Sequence, residues 1–188
     1  MHRFALIALL ACSLVLSGCA AVLLTGAGAG VAAAEDRRTL GAMTEDQNIE
    51  LRTSNRVSEK HSDRVHLNVT SYNRMVLLTG EVPTEEVKRD VERIARSVEN
   101  VRGVSNELTV GVPTTLTNRA NDSYVTSKVK ARFVDAQRFN ALHVKVVTEN
   151  QVAYLLGLVS KQEAKDATSL ARTTEGVKKV VTVFEYTD

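Results

Sequence analysis

Apolar positions along this chain change period several times, and the order of those changes occurs twice. Between residues 44 and 110, Val65, Leu67 and Val69 alternate with polar residues, the two-residue period of a half-buried strand. Tyr72-Asn73 follows as a turn, where asparagine accepts the left-handed conformation, and Met75 to Val82 reads as the returning strand. Pro83 and Thr84 start a helix. Val87, Val91, Ile94, Ala95 and Val98 then fall on one helical face. Asn100 ends that helix, and Val104, Asn106, Leu108 and Val110 alternate as a third strand. Ahead of the first strand, Ile49, Thr53 and Val57 recur every four residues and predict a further helix.

The second copy runs from 121 to 188. Val125, Val129 and Phe133 mark its first helix, Val144 to Val147 and Val152 to Val159 a hairpin, Ala164 to Thr174 the second helix, and Val180 to Tyr186 the last strand. Identities support the repeat. Asp90, Ala95, Arg96, Glu99 and Val101 recur at an offset of 76 as Asp166, Ala171, Arg172, Glu175 and Val177, while Asn73, Gly80 and Val82 recur at 77 as Asn150, Gly157 and Val159. A one-residue deletion near the start of the second helix reconciles the two offsets. Residues 111–120, with Pro113 and a run of Thr and Asn, read as a linker. The pattern predicts an α+β chain of two tandem α-β-β-α-β domains, 44–110 and 121–188. Each is a three-stranded mixed sheet with both helices on one face and a right-handed crossover between parallel strands two and three. About 65 residues per copy is close to the lower limit for an independent core, so the copies are expected to pack together or to be individually modest in stability.

The N-terminus has its own logic. A lone Arg3 precedes Phe4 to Val15, apolar apart from Ser13, and then Leu16-Ser17-Gly18-Cys19. The run has signal-peptide length and is too short to span a bilayer. Its end resembles the bacterial lipobox, which implies removal of residues 1–18 and a covalent lipid on Cys19, the new N-terminus. Residues 19–43, rich in Ala and Gly to Ala34, read as a lipidated flexible tether, the competing reading being an uncut anchor from Phe4 to Ala34. The same resemblance implies sorting to the outer membrane, because Ala20 stands where an aspartate would signal inner-membrane retention. Cys12 leaves with the signal, so the remaining chain has one cysteine. It can form neither an internal disulfide nor a zinc site on paired cysteines.

Charge and candidate chemistry sharpen the picture in one place. The net charge of +2 gives no argument for nucleic acid. His61, His66 and His143 are scattered, so no metal site is predicted. No Gly-x-Ser-x-Gly elbow or other catalytic constellation occurs, and no catalytic residue or dissociable cofactor is expected. The two copies differ in charge, however. Residues 44–110 hold ten Lys or Arg against twelve Asp or Glu, net −2, and residues 121–188 hold ten against eight, net +2. The first helix of the second copy carries Lys128, Lys130 and Arg132. Opposite its core stripe fall Tyr124, Lys128 and Ala131, with Lys130 and Arg132 flanking the stripe. A tyrosine beside cations suits an anionic bilayer surface. Read from the residues alone, an ordinary solvated face with a surface tyrosine fits slightly better.

The hairpin glycine, the amphipathic helix, the Glu-x-Val turn and the closing strand, twice over behind a lipobox, resemble the BON domain. Over its full length the chain resembles the dual-BON outer-membrane lipoproteins of the DolP (YraP) family. The stretches that carry this include Asp36-x-Arg38-x-x-Gly41, Asn121-Asp122-Ser123-Tyr124-Val125-Thr126, Val144-Lys145-Val146-x-Thr148-Glu149-Asn150 and Gly157-Leu158-Val159. The resemblance implies a non-enzymatic protein on the periplasmic face of the outer membrane, associated with envelope integrity and division. It implies binding of anionic phospholipid by the first helix of the second domain, through Tyr124, Lys128, Lys130, Ala131 and Arg132. Tyr124 stands where the family can carry tryptophan, which implies weaker insertion. The alternative is an adaptor that docks envelope or division proteins.

Overall fold

The computed structural model describes residues 36–62 and 65–188. The lipidation candidate Cys19, the signal peptide and most of the expected tether lie outside the described residues. In the first domain, α1 (Leu40–His61) leads to the hairpin β1 (His66–Tyr72) and β2 (Met75–Val82), then α2 (Glu85–Arg96) and the short strands β3 (Gly103–Asn106) and β4 (Thr109–Val110). The second domain repeats the order with α3 (Leu116–Ala136), β5 (Val144–Glu149), β6 (Val152–Val159), α4 (Lys161–Arg172) and β7 (Lys179–Tyr186). Each sheet has its second strand in the centre, antiparallel to the first and parallel to the last. The α+β fold read from the pattern is the one observed.

Local chemistry explains where the elements begin and turn. Thr39 and Thr115 cap α1 and α3, their side chains accepting from the backbone N–H of Ala42 and Asn118. Both helices therefore start earlier than the apolar period suggested, inside segments read as tether and linker. Their first turns bear no buried residue to betray them: Leu40 is 68% exposed and Leu116 80%. The hairpins turn through paired left-handed residues, Asn73-Arg74 and Asn150-Gln151, the conformation that matches strand twist. A buried aspartate on the preceding helix braces each turn. Asp46 accepts from the N–H of Asn73 and Arg74 and from Ser71 Oγ, and Asp122 from the N–H of Asn150 and Gln151. A Cβ at Gly80 would collide with the carbonyl oxygen of His66 on the neighbouring strand, and one at Gly157 with that of His143, just before β5. The third strand of the first domain, expected as one piece, is interrupted. There the Leu108 N–H turns to Asn106 Oδ1.

Helix-facing residues make two separate cores. Ile49, Val57, Val76, Leu78, Val91 and Leu108 centre the first, and Val129, Phe133, Val146, Leu155, Val159 and Leu170 the second. A third cluster joins Tyr72 and Leu77 of the first domain to Tyr154 and Leu156 of the second. Strand alternation puts these residues on the helix-free faces of the two sheets, so the domains pack sheet against sheet. Burying each such side chain is worth roughly 1.5–3 kcal/mol. Polar contacts frame the seam: Asn73 and Arg102 with Glu185, Lys145 with Glu50, and Asn68 with Glu149. Burial, opposed only in part by the Asn68 hydrogen bond and by His66, pushes the Glu149 carboxyl above its ordinary value. Of the two expectations for domains this small, packing together is the outcome.

The segment before α1 joins this assembly. Arg38 spans Asp36 and Asp46 and lies 3.9 Å over the Tyr72 ring. Arg37 reaches the second domain, where it grips Glu163 with two hydrogen bonds and donates to the Leu158 carbonyl.

Candidate functional site: the outward face of α3

Helix α3 buries Asp122, Val125, Val129 and Phe133, and their four- and three-residue spacings fix which side faces out. Tyr124 lands 64% exposed. Ser123, Ser127, Lys130 and Ala131 are exposed beside it, and Lys128 is half-buried. Lys128 Nζ lies 5.4 Å from the centre of the Tyr124 ring, close enough for cation–π attraction.

The structure thus brings Tyr124, Lys128 and Ala131 onto one face, but the three cations are not equivalent. Lys128 donates to Glu175 Oε2 at 2.8 Å, and this bond and charge hold the fully exposed Glu175 carboxyl below its ordinary value. Arg132 reaches the same turn, donating from Nη1 to Thr174 Oγ1 at 3.2 Å. Lys130 has no ion-pair partner among the described residues. Glu175 is in the Glu-x-Val turn, whose next residue, Gly176, adopts a left-handed φ of 93° against the Val125 side chain. That close approach sets the carboxylate beside Lys128, 47 residues away in sequence. No local signal announces it.

Two further side chains extend the face. Val134 is 61% exposed one turn beyond Lys130, and Leu142 is exposed in the short turn before β5. Together with Arg38, Tyr72, Lys130 and Lys145 they line a cleft of about 330 Å³ between the domains. The sequence contained a hint in Val134, an apolar residue next to the core stripe but off it. Each histidine among the described residues meets a carboxylate: His61 with Asp90, His143 with Glu163, and His66 with Glu81.

The BON domain family model matches residues 45–112 and again 121–188, the two structural repeats. The chain belongs to the BON domain family. The outer membrane lipoprotein DolP of Haemophilus influenzae is 38% identical over 183 residues, covering 96% of this chain and 94% of that protein. The 21 kDa hemolysin of Actinobacillus pleuropneumoniae is 31% identical over 80% of this chain and 79% of its own length. The osmotically-inducible protein Y of Escherichia coli is 32% identical over 61% of this chain and 58% of its own length. Such full-length similarity makes this BON protein an outer-membrane lipoprotein of the DolP type. Among the described residues, no helix is long and apolar enough to cross a membrane.

Proposed function

We propose that the chain binds anionic phospholipid through the outward face of α3 while a covalent lipid on Cys19 holds it at the periplasmic face of the outer membrane. The observation that carries this reading is Tyr124, a largely exposed ring on a polar helix face with an ammonium group beside it. Ring at the headgroup level and cations near phosphate is the arrangement an anionic interface favours. Lys130 and Lys128 supply charge, Ala131 lets the helix approach closely, and Arg132 contributes from the flank. Each cation near an anionic surface is worth roughly 1 kcal/mol. So few cations bind weakly alone, but an acyl anchor raises the local concentration enough for them to orient the domain. Its role is then non-catalytic: to support envelope integrity, at division sites among others, by reading anionic lipid.

Flotation with phosphatidylglycerol or phosphatidylcholine vesicles tests the reading. Phosphatidylglycerol should recruit the protein, Tyr124→Glu should abolish recruitment, and phosphatidylcholine should not support it. Equal recruitment of the Tyr124→Glu variant would overturn the proposal. The adaptor reading gains support from Val110, Val112 and Leu116, exposed together around the connection between the domains. It would then be preferred.

A further inference from the structure

We propose that the seam between the two BON domains is a divalent-metal site, suited to Zn²⁺, with His66, Glu81 and Glu149 as ligands. Sheet geometry brings them together. His66 and Glu81 are directly opposite in the β1–β2 ladder, so both project from one sheet face. It is the face that carries Tyr72 and Leu77 toward the second domain. Glu149 ends β5 two residues beyond Val147, which belongs to the same interdomain cluster. Each of the three offers a ligand atom, and those atoms all lie within 4.8 Å of one another. His66 Nδ1 and Glu81 Oε2 are already 2.9 Å apart.

The environment argues for a cation. Glu81 is 4% and Glu149 7% exposed, and two buried carboxylates from different domains face a single imidazole. Removing such charges from water is costly unless they are neutralised. A divalent ion with two carboxylates and a neutral imidazole makes a neutral site. The surrounding groups hold the ligands as outer-shell partners do. Asn68 Nδ2 donates to Glu149 Oε2, and the Thr114 N–H donates to Glu81 Oε2 at 3.2 Å. A separate observation points to the same place. Thr79, opposite Asn68 in the ladder and two residues before Glu81 on the same strand face, has a buried hydroxyl with no hydrogen-bond partner among the described residues. Buried orphan hydroxyls are uncommon, and the shell of a hydrated ion would supply the missing partner. One nitrogen and two carboxylate donors suit Zn²⁺, which takes such a set with water as fourth ligand, whereas Ca²⁺ takes six or more oxygens. The lipid reading is not involved. The ion would lock the two domains in one orientation.

The test uses the full-length chain in detergent, freed of metal with a chelator and titrated with Zn²⁺ or Mg²⁺. Zn²⁺ should bind at one equivalent and raise the melting temperature, and Mg²⁺ should not. Glu149→Gln keeps the size and the Asn68 contact but loses a charged ligand. It should weaken Zn²⁺ at least as much as lost outer-shell partners do, about 10–100-fold. His143→Gln should bind as the parent does. Absence of stabilisation by Zn²⁺, or equal binding by Glu149→Gln, would overturn the proposal. Should Glu149→Gln fail to fold, Co²⁺ added to the unaltered protein decides. Intense visible d–d bands of a low-coordinate ion support the site, and the pale spectrum of hexaaqua Co²⁺ refutes it.

Discussion

Tyr124 can be changed almost without touching the fold, which makes it the cleanest probe of the proposed lipid-binding face. Its ring contacts Lys128 rather than the core, so substitutions there should alter stability by no more than about 0.5 kcal/mol. Tyr124→Trp should strengthen flotation with phosphatidylglycerol vesicles, because indole prefers the headgroup region. Lys128 is subtler. Its ammonium is shared with Glu175 at 2.8 Å, and a lipid phosphate would have to compete with that carboxylate. Glu175→Gln should therefore bind anionic vesicles more tightly than the parent, while Lys128→Glu binds less tightly. Both differences should shrink as salt rises, since exposed charges are screened. If Glu175→Gln changes nothing at low salt, Lys128 is outside the lipid-facing surface. The helix period was enough to show which way Tyr124 points. It could not show Lys128's occupancy, which depends on a loop distant in sequence.

At the level of elements, most of the fold was legible because burial imposes a period. Met75–Val82 and Val152–Val159 appear as strands with the limits the apolar pattern indicated. What escaped were features that leave no apolar trace: the capped first turns of α1 and α3, where Leu40 and Leu116 face solvent, and the break at Asn106. The most instructive omission is the pair Asp46 and Asp122. They recur at the same offset of 76 as the helix identities, yet a helical aspartate reads as a solvated surface residue. Here each is buried and accepts two backbone N–H groups of a hairpin turn. Charged hydrogen bonds of this kind are worth about 1.5–3 kcal/mol each, and orphaning the buried N–H groups adds to the loss. Asp122→Ala should lower unfolding stability by about 3 kcal/mol or more, read as a fall in the urea midpoint. An equal midpoint would mean that the turn is held by its own left-handed residues.

The whole molecule is organised by the sheet-to-sheet seam, which the period-two reading passed over. Its trace was present, since Val76-Leu77-Leu78 and Tyr154-Leu155-Leu156 are continuous apolar runs, the mark of strands buried on both faces. Across that seam the segment before α1 acts as a strap, and its grip is electrostatic. Glu163 is the N3 residue of the capping box of α4. Burial alone would raise its pKa, but the Arg37 hydrogen bonds, the Ser160 N–H and His143 together bring it down to about 2 from the ordinary 4.5. A carboxyl depressed by folding contributes stability that is fully present above its unfolded value. That stability is lost as pH falls toward the folded one. Glu163→Gln can still accept from Ser160 N–H and keep the capping box, so it removes the charge and leaves the cap. At neutral pH the variant should melt below the parent, by about 1–2 kcal/mol after discounting for solvent near the partly exposed Arg37. Between pH of about 4.5 and about 2 the two melting curves should converge, because the parent's Glu163 becomes protonated and resembles the amide. Other carboxylates titrate in the same interval, but they are common to both proteins and cancel in the difference. Parallel curves across that interval would show that the Arg37–Glu163 pair carries no stability, and the strap would have to be held by the Arg37 bond to the Leu158 carbonyl and by Arg38 with Asp46 and Tyr72.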